Sequence, residues 1–178
     1  SMIKTQFDTS VQKIRTDNGR EFLSNDCQSL LVSHGVLHET SCTYTPQQNG
    51  VSERKNRSIM EMARCMLEEK MLPKKFWAEA ANTAVFLLNR LPTKALNKQT
   101  PFEAWHGYKP KVSNLKVFGC ICYSLVPSVK RDKLDQRGEA CIFVGYSLQS
   151  KAYRVYHPAS NKVVVCKDVS FMEDKKWD

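Results

Sequence analysis

No stretch of this 178-residue chain is apolar for the ~18 residues that a membrane helix needs. No amino-terminal segment has the order of charged, apolar and small residues that marks a secretion signal. None of the seven cysteines stands in a Cys-x-x-Cys pair, and their number is odd. The expectation is therefore reduced, partly buried thiols in an intracellular protein rather than a disulfide framework. Internal repeats and low-complexity tracts are also absent. These absences argue against a transmembrane helix, give no sign of secretion, and point to an ordinary globular chain. Its apolar share of 42% and charged share of 25% fit that class. Cations are in excess: 27 Lys and Arg against 18 Asp and Glu, a formal charge of +9. Such a balance favours an anionic partner, nucleic acid first. Ser1 reads as a scar of tag cleavage, which would place the natural start at Met2 or Ile3.

Periodicity then divides the chain. Val11–Thr16 reads as a short strand running into the turn signal Asp17-Asn18-Gly19. Glu21–Ser33 reads as a helix stopped by Gly35, and Val36–Thr43 as a second short strand. Tyr44–Gly50 is a loop rich in breakers. Val51–Met71 reads as a long amphipathic helix, with Ile59, Met62, Ala63 and Met66 on one side and Asn49, Glu53, Asn56 and Arg57 nearly opposite. Lys74–Asn89 is apolar almost all round and predicts a well-buried helix. Thr100-Pro101-Phe102-Glu103 is a capping-box start for a short helix. Beyond Pro110 the pattern changes to β-branched and aromatic runs at 116–126, 140–146, 153–156 and 163–169, separated by turn clusters. Runs of this kind read as a small barrel or sandwich. The boundary falls near Pro110. Residues 111–178 carry 12 basic and 7 acidic groups, +5, so the smaller part holds more than half of the net charge.

Two carboxylates stand where chemistry is possible. Asp17 closes a predicted strand, and Glu53 lies in the first turn of a long helix. Mg²⁺ takes oxygen ligands, commonly one or two carboxylates plus substrate phosphate. Two such ions can activate an attacking oxygen and steady a leaving one. Taken alone, each residue has an ordinary explanation: a turn Asp beside Gly, and a helix-start Glu favoured by the macrodipole.

The residues around them carry more. RTDNGREF (Arg15–Phe22) and HETSCTYTPQQNGVSERKNR (His38–Arg57) together resemble the integrase core of copia-type LTR retrotransposons. KKFWAEAANTAVFLLNRLPTKAL, TPFEAWHGYKP, LKVFGCICYSLVP, RDKLDQRGEACIFVGYS and YRVYHPASNKVVVCKDVSF follow in the same order as in such a polyprotein. The resemblance implies an α/β fold: an RNase H-like integrase core over residues 1–110, lacking its first strands, then a small SH3-like β-barrel over 111–178. It implies an enzyme that uses Mg²⁺ or Mn²⁺ to insert a DNA copy of the element into a chromosome. Asp17 and Glu53 match its second and third metal carboxylates. The first belongs upstream on the opening strand of the core, a place that Asp8 does not fill. The expectation is a fragment inactive by itself, with DNA as partner, a homo-oligomeric state, no small-molecule substrate, and a nuclear location for the parent element.

In that frame Arg57 would pair with a DNA phosphate, with Lys55 flanking it, and Gln48, Asn49 and Asn56 would reach backbone or terminal bases. Arg131, Lys133 and Arg137 would touch DNA without sequence preference. The alternative is a domesticated or decayed module that binds nucleic acid or protein without chemistry. Cys27, His34, His38 and Cys42 have the wrong spacing for a usual zinc set. Cys120 and Cys122 share one strand face and predict core packing. Trp77, Phe86 and Trp105 are core candidates.

Overall fold

The computed structural model describes residues 8–42, 50–126 and 136–177. The chain divides into two compact units, one ending at Asn56 and one beginning at Arg57.

In the first unit, β1 (Lys13–Thr16) and β2 (Leu37–Thr40) pair in parallel, with Ile14 opposite His38 and Thr16 opposite Thr40. Helix α1 (Asn25–Ser33) connects them, giving a β-α-β unit. Ser24 caps α1, its Oγ accepting from Cys27 N at 3.4 Å. Gly35, at φ +65°, takes the left-handed turn that ends the crossover. Helix α2 (Gly50–Glu69) begins within this unit.

In the second unit, α3 (Trp77–Leu88) follows a single tight turn at Lys74–Phe76, and α4 (Pro101–His106) begins at the cap the sequence marks. Thr100 Oγ1 accepts from Glu103 N at 3.0 Å. Five antiparallel strands follow: β3 (Cys120–Leu125), β4 (Gly138–Tyr146), β5 (Tyr153–His157), β6 (Lys162–Cys166) and β7 (Val169–Lys176), in the order β6-β5-β4-β3-β7. The edge strands β6 and β7 are consecutive in sequence, joined only by Lys167-Asp168. Three residue steps reach about 10 Å, whereas the edges of a flat five-stranded sheet lie about 19 Å apart. The sheet must therefore curl until its edges approach, which is a small barrel.

Its interior holds Cys120, Cys122, Cys141, Phe143, Tyr146 and Val155. Cys120 and Cys122 are fully buried, as their shared face predicts, and burial raises both thiols above their usual range, Cys120 to about 11. The outer face of β4 is covered too: Ile142 and Val144 pack with Ala63, Leu72, Phe76 and Ala80. Burial on both faces explains the unbroken apolar run Cys141–Val144. Gly145, at φ +147°, sits where the β4–β5 register shifts, and a Cβ there would lie 2.8 Å from Thr83 Oγ1. Arg154 on β5 holds Glu79 on α3, its Nε donating at 2.8 Å.

Two expectations need correction. Trp77 is 56% exposed, because α3 meets the sheet through the small residues Ala80 and Thr83 with Phe76 just ahead of it, and Trp105, on α4, is 37% exposed. Phe86 packs against the barrel, stacked on Tyr146 at 4.1 Å. The run 163–169 is not one strand but the end of β6, a turn and the start of β7. One face of the sheet is covered by the helices of the second unit.

Candidate functional site

Asp17 is the first residue past β1, at the carboxyl end of the parallel pair. Ligands of open α/β sheets gather outside the carboxyl ends of strands. The local sequence builds this end tightly. Asp17 Oδ1 accepts from Gly19 N at 3.1 Å, forming the turn that Asp-Asn-Gly predicts. Asn18 Nδ2 donates to the carbonyl of buried Ser41 at 2.9 Å, and Ser41 N donates to Thr16 O at 2.9 Å. The ends of β1 and β2 are thereby tied together.

Beneath Asp17 runs a chain of hydrogen bonds that sequence reasoning missed. Gln28 Nε2 lies 2.7 Å from His38 Nδ1, His38 Nε2 lies 2.8 Å from Thr16 Oγ1, and Thr16 Oγ1 donates to Asp17 O at 2.8 Å. A donating Gln28 amide makes His38 Nδ1 the acceptor and Nε2 the N–H donor. The ring thus spans α1, β2 and β1 and holds the backbone of Asp17. The available signal was parity: Thr16 stands two residues beyond Ile14, the partner of His38, and therefore on the same sheet face. Lys13 and Arg15 both grip Glu39, at 2.6 and 3.0 Å, and hold its carboxyl below the usual range.

Glu53 stands in the first turn of α2, exposed. Lys55, Asn56 and Arg57 are exposed on the same helix, while Ala63 two turns on is buried. Gln48, Asn49, Arg131 and Lys133 lie outside the described residues. Arg137 is exposed just before β4, its carbonyl accepting from Val126 N at 3.0 Å. Among the described residues no group of three or more His, Cys, Asp or Glu side chains comes together to hold a metal. Asp17 and Glu53 are hard oxygen donors, the chemistry that Mg²⁺ or Mn²⁺ takes.

A strand-helix-strand unit with an acidic residue at its carboxyl edge, followed by helices and a curled five-stranded sheet, defines an α/β protein with a small β domain. A family model described as "Retroviral polymerase SH3-like domain" matches residues 120–178. The chain is 39% identical over 98% of its length to the "Retrovirus-related Pol polyprotein from transposon TNT 1-94" of Nicotiana tabacum. It is likewise 39% identical over 97% of its length to that from transposon RE2 of Arabidopsis thaliana. It spans only 13% and 12% of those two relatives. Among solved structures it is similar to the HTLV-2 integrase catalytic core domain in complex with magnesium, at 27% identity and a TM-score of 0.44, covering 59% of this chain and 63% of that one. The chain belongs to the copia-type retrotransposon Pol polyproteins.

Proposed function

We propose that this chain supplies the second and third metal carboxylates, Asp17 and Glu53, of a DNA strand-transfer site within a longer integrase. The observation that carries this reading is the position of Asp17, at the carboxyl edge of the parallel β1–β2 pair, within the segment Arg15–Phe22 that resembles the family. The turn at Gly19 occupies one carboxylate oxygen of Asp17 and leaves the other for a ligand. His38 and Thr16 fix the backbone from which that carboxylate projects. Bound Mg²⁺ or Mn²⁺ would supply the Lewis acidity that in-line displacement at a phosphodiester requires.

Arg57 and Lys55 neutralise DNA phosphates beside Glu53, and Asn56, Gln48 and Asn49 contact the backbone or terminal bases. Arg131, Lys133 and Arg137 add contacts without sequence preference from the β domain, residues 111–178. The first 110 residues form part of an RNase H-like core. A two-stranded sheet is marginal by itself, and Leu30, Val32 and Leu37 are more than half exposed. Both features support work as an oligomer with further cover for this unit. The parent acts in the nucleus, where its chromosomal substrate lies.

Strand transfer of a labelled oligonucleotide in Mn²⁺ tests the assignment. These 178 residues match two of the family's three carboxylates, so the chain alone gives no product above its Glu53→Gln variant. A longer chain that also carries the first carboxylate gives product, which Asp17→Asn and Glu53→Gln each lower by about 100-fold or more. Product from the 178 residues alone, or full activity of the longer chain after either substitution, overturns it.

A further inference from the structure

A groove in the second unit has a chemistry that the carboxylate site does not use. It encloses about 720 Å³, within the range of small-ligand sites, and its walls carry Arg90, Lys109, Lys111 and Lys151 but no Asp or Glu. Among the described residues no ion pair engages any of these four cations. Arg90 is half-buried over the faces of Phe86 and Phe102, 3.4 and 4.8 Å from their centroids, and burial pushes its guanidinium below its usual pKa. The adjoining cavity, which Arg90 also lines, carries one acidic residue, Glu79, and Arg154 holds it.

Two further features say what kind of anion fits. Tyr108 on the groove wall meets Phe102 at 5.5 Å in a T-shaped contact and His106 at 5.8 Å, yet is 61% exposed and leaves ring surface open on the wall that carries the lysines. Asn114 Oδ1, also on the wall, is buried with no hydrogen-bond partner among the described residues. A buried acceptor without a donor is costly, and an N–H on an incoming ligand would satisfy it. Phosphates for the lysines, a planar ring for Tyr108 and an N–H edge for Asn114 are the three groups of a nucleotide. A duplex hides its base edges in pairs and is too wide for the cavity, so its nucleotides cannot present all three at once.

We propose that this groove binds an unpaired nucleotide of single-stranded DNA, with Lys109, Lys111 and Lys151 on its phosphates, Tyr108 stacked on its base and Asn114 accepting from the base edge. The inference rests on the nucleic-acid reading given above, and it concerns residues separate from those assigned there.

Fluorescence anisotropy of the 178-residue chain with a labelled single-stranded octamer tests it, alongside a duplex of the same sequence and the free mononucleotide dAMP. The triple variant Lys109→Ala, Lys111→Ala, Lys151→Ala should flatten the slope of log affinity against log salt by about 2 for the single strand, at ~0.7 per phosphate lost. Tyr108→Ala should weaken the octamer by about tenfold, and Tyr108→Phe should restore it. Neither change should move duplex binding, which Lys55→Ala, Arg57→Ala, Arg137→Ala should weaken. Thermal melts confirm that each variant is folded. Unchanged octamer binding in the groove variants, with duplex binding intact, overturns the groove and leaves the nucleic-acid reading standing. Binding of neither form overturns both. A groove that binds dAMP as tightly as the octamer takes free nucleotide, and the strand assignment falls.

Discussion

Single carboxylates decide how the second unit answers to pH. Glu173 on β7 accepts from Lys116 Nζ at 2.9 Å through one oxygen and from Val117 N at 3.0 Å through the other. The Lys116 hydrogen bond holds the Glu173 carboxyl below its ordinary 4.5, and Glu173 in turn raises Lys116 above its ordinary 10.5. The signs give a window. A depressed carboxyl stabilises the fold above the pKa of the unfolded group and loses that contribution as pH falls through the folded value. A raised amine stabilises below its unfolded pKa and loses it as pH rises through the folded one. The pair therefore stabilises between about pH 4.5 and 10.5. Both groups are partly solvated, and screening limits the effect to ~0.5–1 kcal/mol. Glu173→Gln should lower the melting temperature modestly at pH 7 and by progressively less as the pH is brought below 4.5. Equal losses at pH 7 and pH 3 would show that shape rather than charge matters at this position.

At the scale of elements, α3 packs closely against β4, and one glycine permits it. Gly145 adopts φ +147°, and any Cβ would meet Thr83 Oγ1 at 2.8 Å. Thr83 Oγ1 is itself committed, donating to Val144 O at 3.3 Å in a buried setting. Gly145→Ala should cost about 2–3 kcal/mol, from backbone strain and overpacking together. For a chain of this size that is a fall of roughly 5–10 °C in melting temperature. Thr83→Ala in the same chain should recover only the steric part, and a double-mutant cycle measures it. A neutral Gly145→Ala would mean that α3 lifts off the sheet without penalty.

The same contact explains what was legible in the sequence. The 3.6-residue period, Gly35 and Thr100 declared α1, α2 and α4, because caps and periodicity are local. Which side of α3 is covered was not local. The sheet approaches closely enough that small residues line the contact, and Trp77 is left facing water. The alternation of β7 was masked by its charged end, where Glu173 stands between Met172 and Asp174 and yet pairs with Lys116 of another segment. Asp17 and Glu53 were visible only because their surroundings resemble a known family. The bridging role of His38 was not legible because its partners, Gln28 and Thr16, lie ten and twenty-two residues away.

For the whole molecule the governing quantity is the +9 charge and where it sits. A protein that merely carries excess cations attracts DNA diffusely. One that aligns them along a path displaces a fixed number of counterions, and the two differ in salt slope. The duplex path proposed here uses Lys55, Arg57, Arg131, Lys133 and Arg137, five cations. At ~0.9 counterions each, log affinity should fall with log salt at a slope of about −4 to −5. Affinity should be nearly the same for unrelated sequences, since phosphate contacts position a protein but do not read bases. Lys55→Ala with Arg57→Ala should reduce the slope by about 2, and Arg137→Ala by about 1, each without changing sequence preference. The two effects should add, because the residues share no partner among the described residues. A wild-type slope shallower than about −2 would mean that most of these side chains leave the phosphates untouched. A slope that the substitutions do not alter would place the duplex elsewhere on the basic surface, away from Glu53.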